Sequence, residues 1–330
     1  MVMIGLAVAV LAASTLANAD TCSFSTLSGD QPMVIAHRGA SGELPEHTIA
    51  SYRLAIEQGS DVIEPDLVMT KDGVLIARHD RYLSTTTDVA SRPEFADRKR
   101  QRRDGVLLKN DWWADDFTLA EIKTLRAIQP RADRSDAFDG QFAIPTFDDV
   151  IELAKETGVT IYPETKSPSA HAQSGLDIEA ALIEALKDAG WTTASAPVFV
   201  QSFEPEILRS LNEEIDVRLV QLVTPIPTPK GLRSNIDLDS IKTYADGVGP
   251  NKVLVINRRG GTTDFVSEAH ERGLFVHPWT VRDDQAPTDG ADVETELTRL
   301  FASGVDGVFT DFPQTAIRAR QSFCEALSAQ

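Results

Sequence analysis

The sequence predicts a parallel α/β barrel of the (β/α)8, or TIM-barrel, type. Three observations support this. Eight short apolar runs recur along the chain, amphipathic stretches lie between them, and several of those stretches stop at a glycine. Strand–helix alternation over this length is the pattern of a parallel sheet covered by helices, and eight repeats suit a closed barrel. An open doubly wound sheet has less support, because the chain contains no Gly-x-Gly-x-x-Gly phosphate loop.

The expected strands are 33–36, 62–67, 159–163, 198–202, 217–222, 247–250, 274–279 and 305–310. Each is a short apolar run, too brief for a helix. Helical periodicity marks 49–58, 147–156, 178–189, 204–213, 263–272 and 294–302. Gly59, Gly158, Gly190, Gly273 and Gly304 supply stop signals. After the second strand, 68–79 reads as an added hairpin turning at Asp72-Gly73. With a two-residue turn Lys71 pairs with Val74, and the continued register sets His79 opposite Asp66. The stretch from about 81 to 141 breaks the alternation and reads as a small insertion subdomain. It holds the basic run 98–103, read as a solvent-facing loop, then Trp112-Trp113 and a helix candidate at 119–125 with Thr118 as N-cap.

Composition narrows the partners. The chain has 330 residues, 42% hydrophobic, with a formal net charge of −18. That charge argues against nucleic acid, which attracts clustered Lys and Arg, and against anionic membranes. Residues 1–19 carry no charged side chain and end in Ala17-Asn18-Ala19 before Asp20. This reads as a secretory signal peptide without a basic start; an uncleaved anchor is the alternative, but its apolar run is short for a span. The mature domain is then 20–330, exported to the periplasm or medium, with no stable membrane insertion after cleavage. The two cysteines, Cys22 and Cys324, suggest a disulfide in that setting.

The chemistry concentrates at strand ends. Glu64 and Asp66 are two residues apart and share a strand face. Together with Glu164 they form an oxygen donor set suited to one divalent cation, Ca2+ or Mg2+. His37 and His79 are then free for proton transfer, and histidine's ordinary pKa suits both directions near neutrality. Arg38 is a phosphate ligand candidate through its fork of N–H donors. Lys166 is another, with pairing to a neighbouring carboxylate as the alternative. Glu46 is grouped with the phosphate-binding residues, either orienting a ligand or opening the helix before Ile49. Phe203 and Trp279 are candidates for the pocket wall, or for ordinary barrel packing. His47 reads as structural; His171, His270 and His277 have no assigned role, and nothing in the sequence decides what Asp311 does.

The ordered segments His37-Arg38-Gly39, Leu44-Pro45-Glu46-His47-Thr48, Glu64-Pro65-Asp66, Thr70-Lys71-Asp72-Gly73 and His79-Asp80 resemble the signature of the glycerophosphodiester phosphodiesterase family. Pro163-Glu164-Thr165-Lys166, Gln201-Ser202-Phe203, His277-Pro278-Trp279 and Thr310-Asp311-Phe312-Pro313 continue the likeness, which is closest to the secreted, periplasmic type. The resemblance implies metal-dependent hydrolysis of small-molecule glycerophosphodiesters to sn-glycerol 3-phosphate and an alcohol. It implies catalytic roles for His37 and His79, metal ligation by Glu64, Asp66 and Glu164, and an insertion beside the active-site mouth. Two other readings are a phospholipase of the same fold acting on lipid head groups and a non-catalytic, metal-stabilised binding protein. The sequence leaves open the preferred alcohol, Ca2+ or Mg2+, direct water attack or a cyclic intermediate, the oligomeric state and the role of the insertion.

Overall fold

The computed structural model describes residues 22–229, 231–287 and 289–329. The expected leader 1–19, with its Ala17-Asn18-Ala19 motif and Asp20, lies outside the described residues.

Each of the eight expected runs forms a barrel strand. The first is β1 (Met33–His37). The second comes in two pieces, β2 (Val62–Glu64) and β3 (Asp66–Met69), because Pro65 between them has no N–H for the ladder. β4 (Leu75–Ala77) returns antiparallel on β3. β5 (Arg100–Asp104) and β6 (Leu107–Asp111) form a separate hairpin. The third barrel strand is β7 (Thr160–Ile161) with β8 (Glu164–Thr165), followed by β9 (Phe199–Ser202) and β10 (Arg218–Val223). A second hairpin, β11 (Pro225–Thr228) with β12 (Gly231–Ser234), precedes β13 (Gly247–Pro250), β14 (Phe275–Val276) and β15 (Gly307–Thr310). Parallel pairing runs from β15 through β1 to β2, and from β3 through β8, β9, β10 and β13 to β14. The ring closes where Asp306 N donates to Val276 O (2.9 Å) and Val281 N to Phe309 O (2.8 Å).

Alternation sorts the strand residues into two cores. Ile35, Val62, Tyr162, Phe199, Val220 and Phe309 point inward and fill the barrel. Their neighbours Val34, Ala36, Ile63, Ile161, Val198, Leu219 and Val308 point outward under the helices. Full burial of each large apolar side chain contributes about 1.5–3 kcal/mol. The six expected helices form, within a few residues of their expected ends. Phe147–Thr157 starts in a capping box between Thr146 and Asp149 and stops at left-handed Gly158. The C-terminal helix Pro313–Ser328 was not expected.

The β3–β4 register differs from expectation by one residue. Leu67 faces Ala77 and Met69 faces Leu75, so Asp66 lies opposite Arg78 rather than His79. The turn has three residues, not two. Thr70 N donates to Val74 O (2.9 Å), Val74 N donates back to Thr70 Oγ1 (3.0 Å), and Gly73 takes the left-handed conformation at φ 81°.

The segment after β4 folds on its own apolar cluster. Leu83, Val89, Phe95, Trp112, Phe117 and Ile122 pack with Val68 and Ile76 of the hairpin. Thr118 caps the helix Leu119–Ile122 in a box with Glu121. The basic run is solvent-facing as expected, but from Arg100 it is a strand and not a loop. Arg98 pairs with Glu121 (2.6 Å), Arg100 with Asp116 and Arg102 with Asp115 (2.6 Å), while Lys99 sits over the Trp112 ring. Cation–aromatic and carboxylate partners engage four of these five basic side chains.

Helix Pro313–Ser328 carries Cys324 back to the start of the described chain. There it is disulfide-bonded to Cys22, with the two Cα atoms 5.5 Å apart and a sequence separation of 302. Cys324→Ser should lower the unfolding free energy by about 2–4 kcal/mol. Urea unfolding under oxidising conditions measures this, and an unchanged midpoint would contradict a stabilising bridge.

Candidate active site

The same alternation that fills the barrel builds its mouth. Two residues beyond five of the six inward-facing apolar side chains comes a polar one: His37 after Ile35, Glu64 after Val62, Glu164 after Tyr162, Gln201 after Phe199 and Asp311 after Phe309, whereas Val220 is followed by Leu222. The strands are parallel, so these residues gather at one end, where barrel active sites lie. A cavity of about 350 Å³ opens there, lined among others by His37, Arg38, Glu64, His79, Glu164 and Lys166.

Glu64, Asp66 and Glu164 are buried, with one carboxylate oxygen of each within 4.8 Å of the others. Burial, together with Asp66 and Glu164, pushes the Glu64 carboxyl well above its ordinary range. Burial raises Glu164 to about 8. Burial also raises Asp66, but Lys166, His79 and a hydrogen bond from His47 outweigh it and hold that carboxyl low. Lys166 Nζ lies 2.7 Å from Glu164 and 3.6 Å from Asp66. Arg38 grips both oxygens of Glu46 through NH1 at 3.0 Å, and its Nε lies 3.3 Å from Asp66. Asp66 Oδ1 is buried without a hydrogen-bond donor. Three converging carboxylates with an orphaned oxygen fit a hard divalent cation.

Backbone geometry is bent to serve these carboxylates. Arg38, His47 and Ser167 adopt left-handed φ values of 62°, 55° and 48°. Such a residue costs roughly 1–2 kcal/mol. In return Arg38 N donates to Glu64 Oε2 at 2.9 Å. His47 Nε2 reaches Asp66 Oδ2 at 2.9 Å, and its Nδ1 meets the Tyr52 hydroxyl at 2.8 Å. Burial lowers His47 to about 4, so the ring is neutral: Nε2 donates to Asp66 and Nδ1 accepts from Tyr52. Gly39 is required on two counts: its φ is 85°, and an added Cβ would come within 2.7 Å of the Ser51 carbonyl carbon.

The two histidines are held alike. His37 Nδ1 lies 2.6 Å from Asp311 Oδ1, and His79 Nδ1 lies 2.7 Å from Asp80 Oδ1. A carboxylate only accepts, so each Nδ1 carries the proton and each Nε2 is left for chemistry. Burial and then Arg38 lower His37 to about 4; the same two causes lower His79. Asp311 is itself bound by Arg282 Nε (2.7 Å) and Arg134 NH2 (2.6 Å).

The structure thus gathers His37, Arg38, Glu46, Glu64, Asp66, His79, Glu164 and Lys166. Phe203 and Trp279 meet edge to face on the cavity wall, ring centres 5.7 Å apart. Sequence reasoning missed Gln201, whose Nε2 donates to Glu64 Oε1 (3.2 Å), as well as Asp80 and Arg134. It left Asp311 undecided. Asp80 was legible in principle, being next to His79; Arg134 carried no local signal.

A family model for the glycerophosphoryl diester phosphodiesterase family matches residues 37–315. A Haemophilus influenzae glycerophosphodiester phosphodiesterase is 36% identical, across 94% of this chain and 97% of its own. An Arabidopsis thaliana glycerophosphodiester phosphodiesterase is 38% identical, across 87% of this chain and 85% of its own. The solved structure of an Oleispira antarctica phosphodiesterase, in complex with the product sn-glycerol-3-phosphate, is similar at a TM-score of 0.64 and 25% identity, covering 90% of this chain and 99% of that one.

If the three carboxylates take a cation, Ca2+ or Mg2+ should raise the thermal midpoint of the chelator-treated protein. A hundredfold excess over Kd stabilises by about 2.7 kcal/mol. Glu64→Gln should cancel most of that rise. A midpoint insensitive to either ion in the unsubstituted protein would count against the site.

Proposed function

Because the chain belongs to the glycerophosphoryl diester phosphodiesterase family, we propose that it hydrolyses glycerophosphodiesters to sn-glycerol 3-phosphate and an alcohol. The observation that carries this reading is the pairing of His37 and His79, each with Nδ1 committed to an aspartate, on one cavity with three carboxylates.

The phosphodiester sits at the carboxylate end of the cavity. Glu64, Asp66 and Glu164 would hold a divalent cation, Ca2+ or Mg2+, which would supply charge neutralisation at the phosphate oxygens. Arg38 and Lys166 donate to those oxygens; Glu46 keeps the Arg38 fork aligned. Glu46 is itself held at about 2, where burial is outweighed by Arg38, so this pair stays ionic at neutral pH. One histidine takes the proton of the attacking hydroxyl, from water or from the neighbouring glycerol, through Nε2. The other gives a proton to the departing alkoxide as its P–O bond breaks. Phe203 and Trp279 wall the space for the alcohol. Residues of about 81–141 are an insertion in a single barrel domain of 20–330.

We also infer that the protein is exported. Among the described residues no helix is long and apolar enough to cross a membrane. The Cys22–Cys324 bridge supports an oxidising compartment. Mass spectrometry of protein recovered from the periplasm or medium should find a chain starting at Asp20; an intact Met1 would refute cleavage there.

Purified protein should release glycerol 3-phosphate from soluble diesters, and lose this on chelation. A preference for intact lipid vesicles would favour the phospholipase reading instead. His37→Ala and His79→Ala should each lower kcat by about 10²–10⁴-fold, with losses that do not multiply. A diester with a very acidic leaving group should rescue only the variant lacking the general acid. Near-normal kcat in both folded variants would refute the acid–base pair.

A further inference from the structure

We propose that Arg134 is a positioning residue for His37, and that holding this histidine is what the segment between β4 and helix Phe147–Thr157 contributes to the reaction. The inference rests on the acid–base reading of His37 above.

Arg134 stands in an exposed polar stretch, yet its own side chain is only 3% exposed. A guanidinium withdrawn from water costs several kcal/mol unless its donors are matched. Here they are. Nε and NH2 fork onto Asp284 at 2.6 and 3.2 Å, NH2 also reaches Asp311 Oδ2 at 2.6 Å, and NH1 donates to Ser41 O at 3.0 Å. These partners come from the loop after β1, the loop after β14 and the end of β15. One side chain therefore ties three barrel loops to the added segment.

Two of the contacts lead to His37, each through a single intermediate. Asp311 Oδ2 is held by Arg134 and by Arg282 Nε at 2.7 Å, which leaves Oδ1 fixed toward His37 Nδ1 at 2.6 Å. A carboxylate anchored at one oxygen by two guanidinium groups cannot turn away from the ring it orients. Ser41, whose carbonyl Arg134 binds, donates through Oγ to the His37 carbonyl at 2.8 Å. Arg134 thus braces both the ring and the backbone of His37 without touching substrate. Arg282 alone would satisfy Asp311 Oδ2 with one donor but would not reach Ser41 or the added segment.

The test is a double-variant cycle on the full chain. Arg134→Gln should lower kcat by about tenfold to a hundredfold, the range for partners that orient a functional ligand, with a much smaller change in KM. Arg134→Lys keeps the charge without the fork and should recover only part of that loss. On an Asp311→Asn background the same Arg134→Gln change should cost little, because the group it acts through is gone. A merely structural arginine would cost the same on both backgrounds. Proton NMR gives a readout that needs no turnover. The low-field Nδ1–H signal that disappears in His37→Ala should be sharp in the unsubstituted protein, and broadened or shifted by water exchange in Arg134→Gln. If Arg134→Gln does not fold by circular dichroism, Asp284→Asn loosens the same arginine and should show a smaller change in the same direction. An unchanged kcat, equal costs on the two backgrounds, or an unaltered Nδ1–H signal would overturn the inference. Failure of the unsubstituted protein to cleave any glycerophosphodiester would sink the activity, while the NMR comparison would still decide whether Arg134 holds the ring.

Discussion

The rest of the structure depends on the repulsion among Glu64, Asp66 and Glu164, buried together at the barrel mouth. Two ionised carboxylates within 4.8 Å repel by roughly 3 kcal/mol or more at an effective dielectric near 20. That exceeds the roughly 1–2 kcal/mol cost of a left-handed residue. The balance explains why the chain bends at Arg38 to present an N–H to Glu64, and at His47 to present a ring N–H to Asp66. It also explains why Lys166 lies among the carboxylates. Of the two sequence readings for this side chain, the pairing with Glu164 is what the structure shows, and phosphate donation is the role proposed for it above.

Much of the fold was legible because barrel strands obey a simple period. Short apolar runs between amphipathic stretches marked all eight strands, and glycine stops such as Gly158 and Gly190 marked helix ends that the structure realises in left-handed caps. The metal-suited carboxylates were legible for the same reason, since a spacing of two keeps Glu64 and Asp66 on one face. The register beyond them was not. Asp-Gly signals a tight turn, but turn length here is set by the Thr70 hydroxyl taking the Val74 N–H, a competition invisible to a dipeptide rule.

Other features escaped because they depend on distant partners. The basic run 98–103 does not alternate in hydrophobicity, so nothing local distinguishes β5 from a solvated loop; its strand form comes from pairing with β6 and from Asp115 and Asp116. Helix Pro313–Ser328 begins inside a recognised motif, and its polar stretches hide the face that packs on the barrel. Arg134 and Asp311 are 177 residues apart, and only the closure of the barrel brings them together.

The bridge between Cys22 and Cys324 makes the described part of the chain, apart from a few terminal residues, a covalent ring. An exopeptidase working inward from either side would meet the bridge before it reached the barrel. A single endoproteolytic nick in an exposed loop, such as the Gly105–Val106 tip of the β5–β6 hairpin, would open the ring without releasing a fragment. The two halves would stay linked through their far ends, in effect a circularly permuted barrel with its new termini at the cut. In a compartment rich in proteases, damage to one loop need not dismantle the molecule.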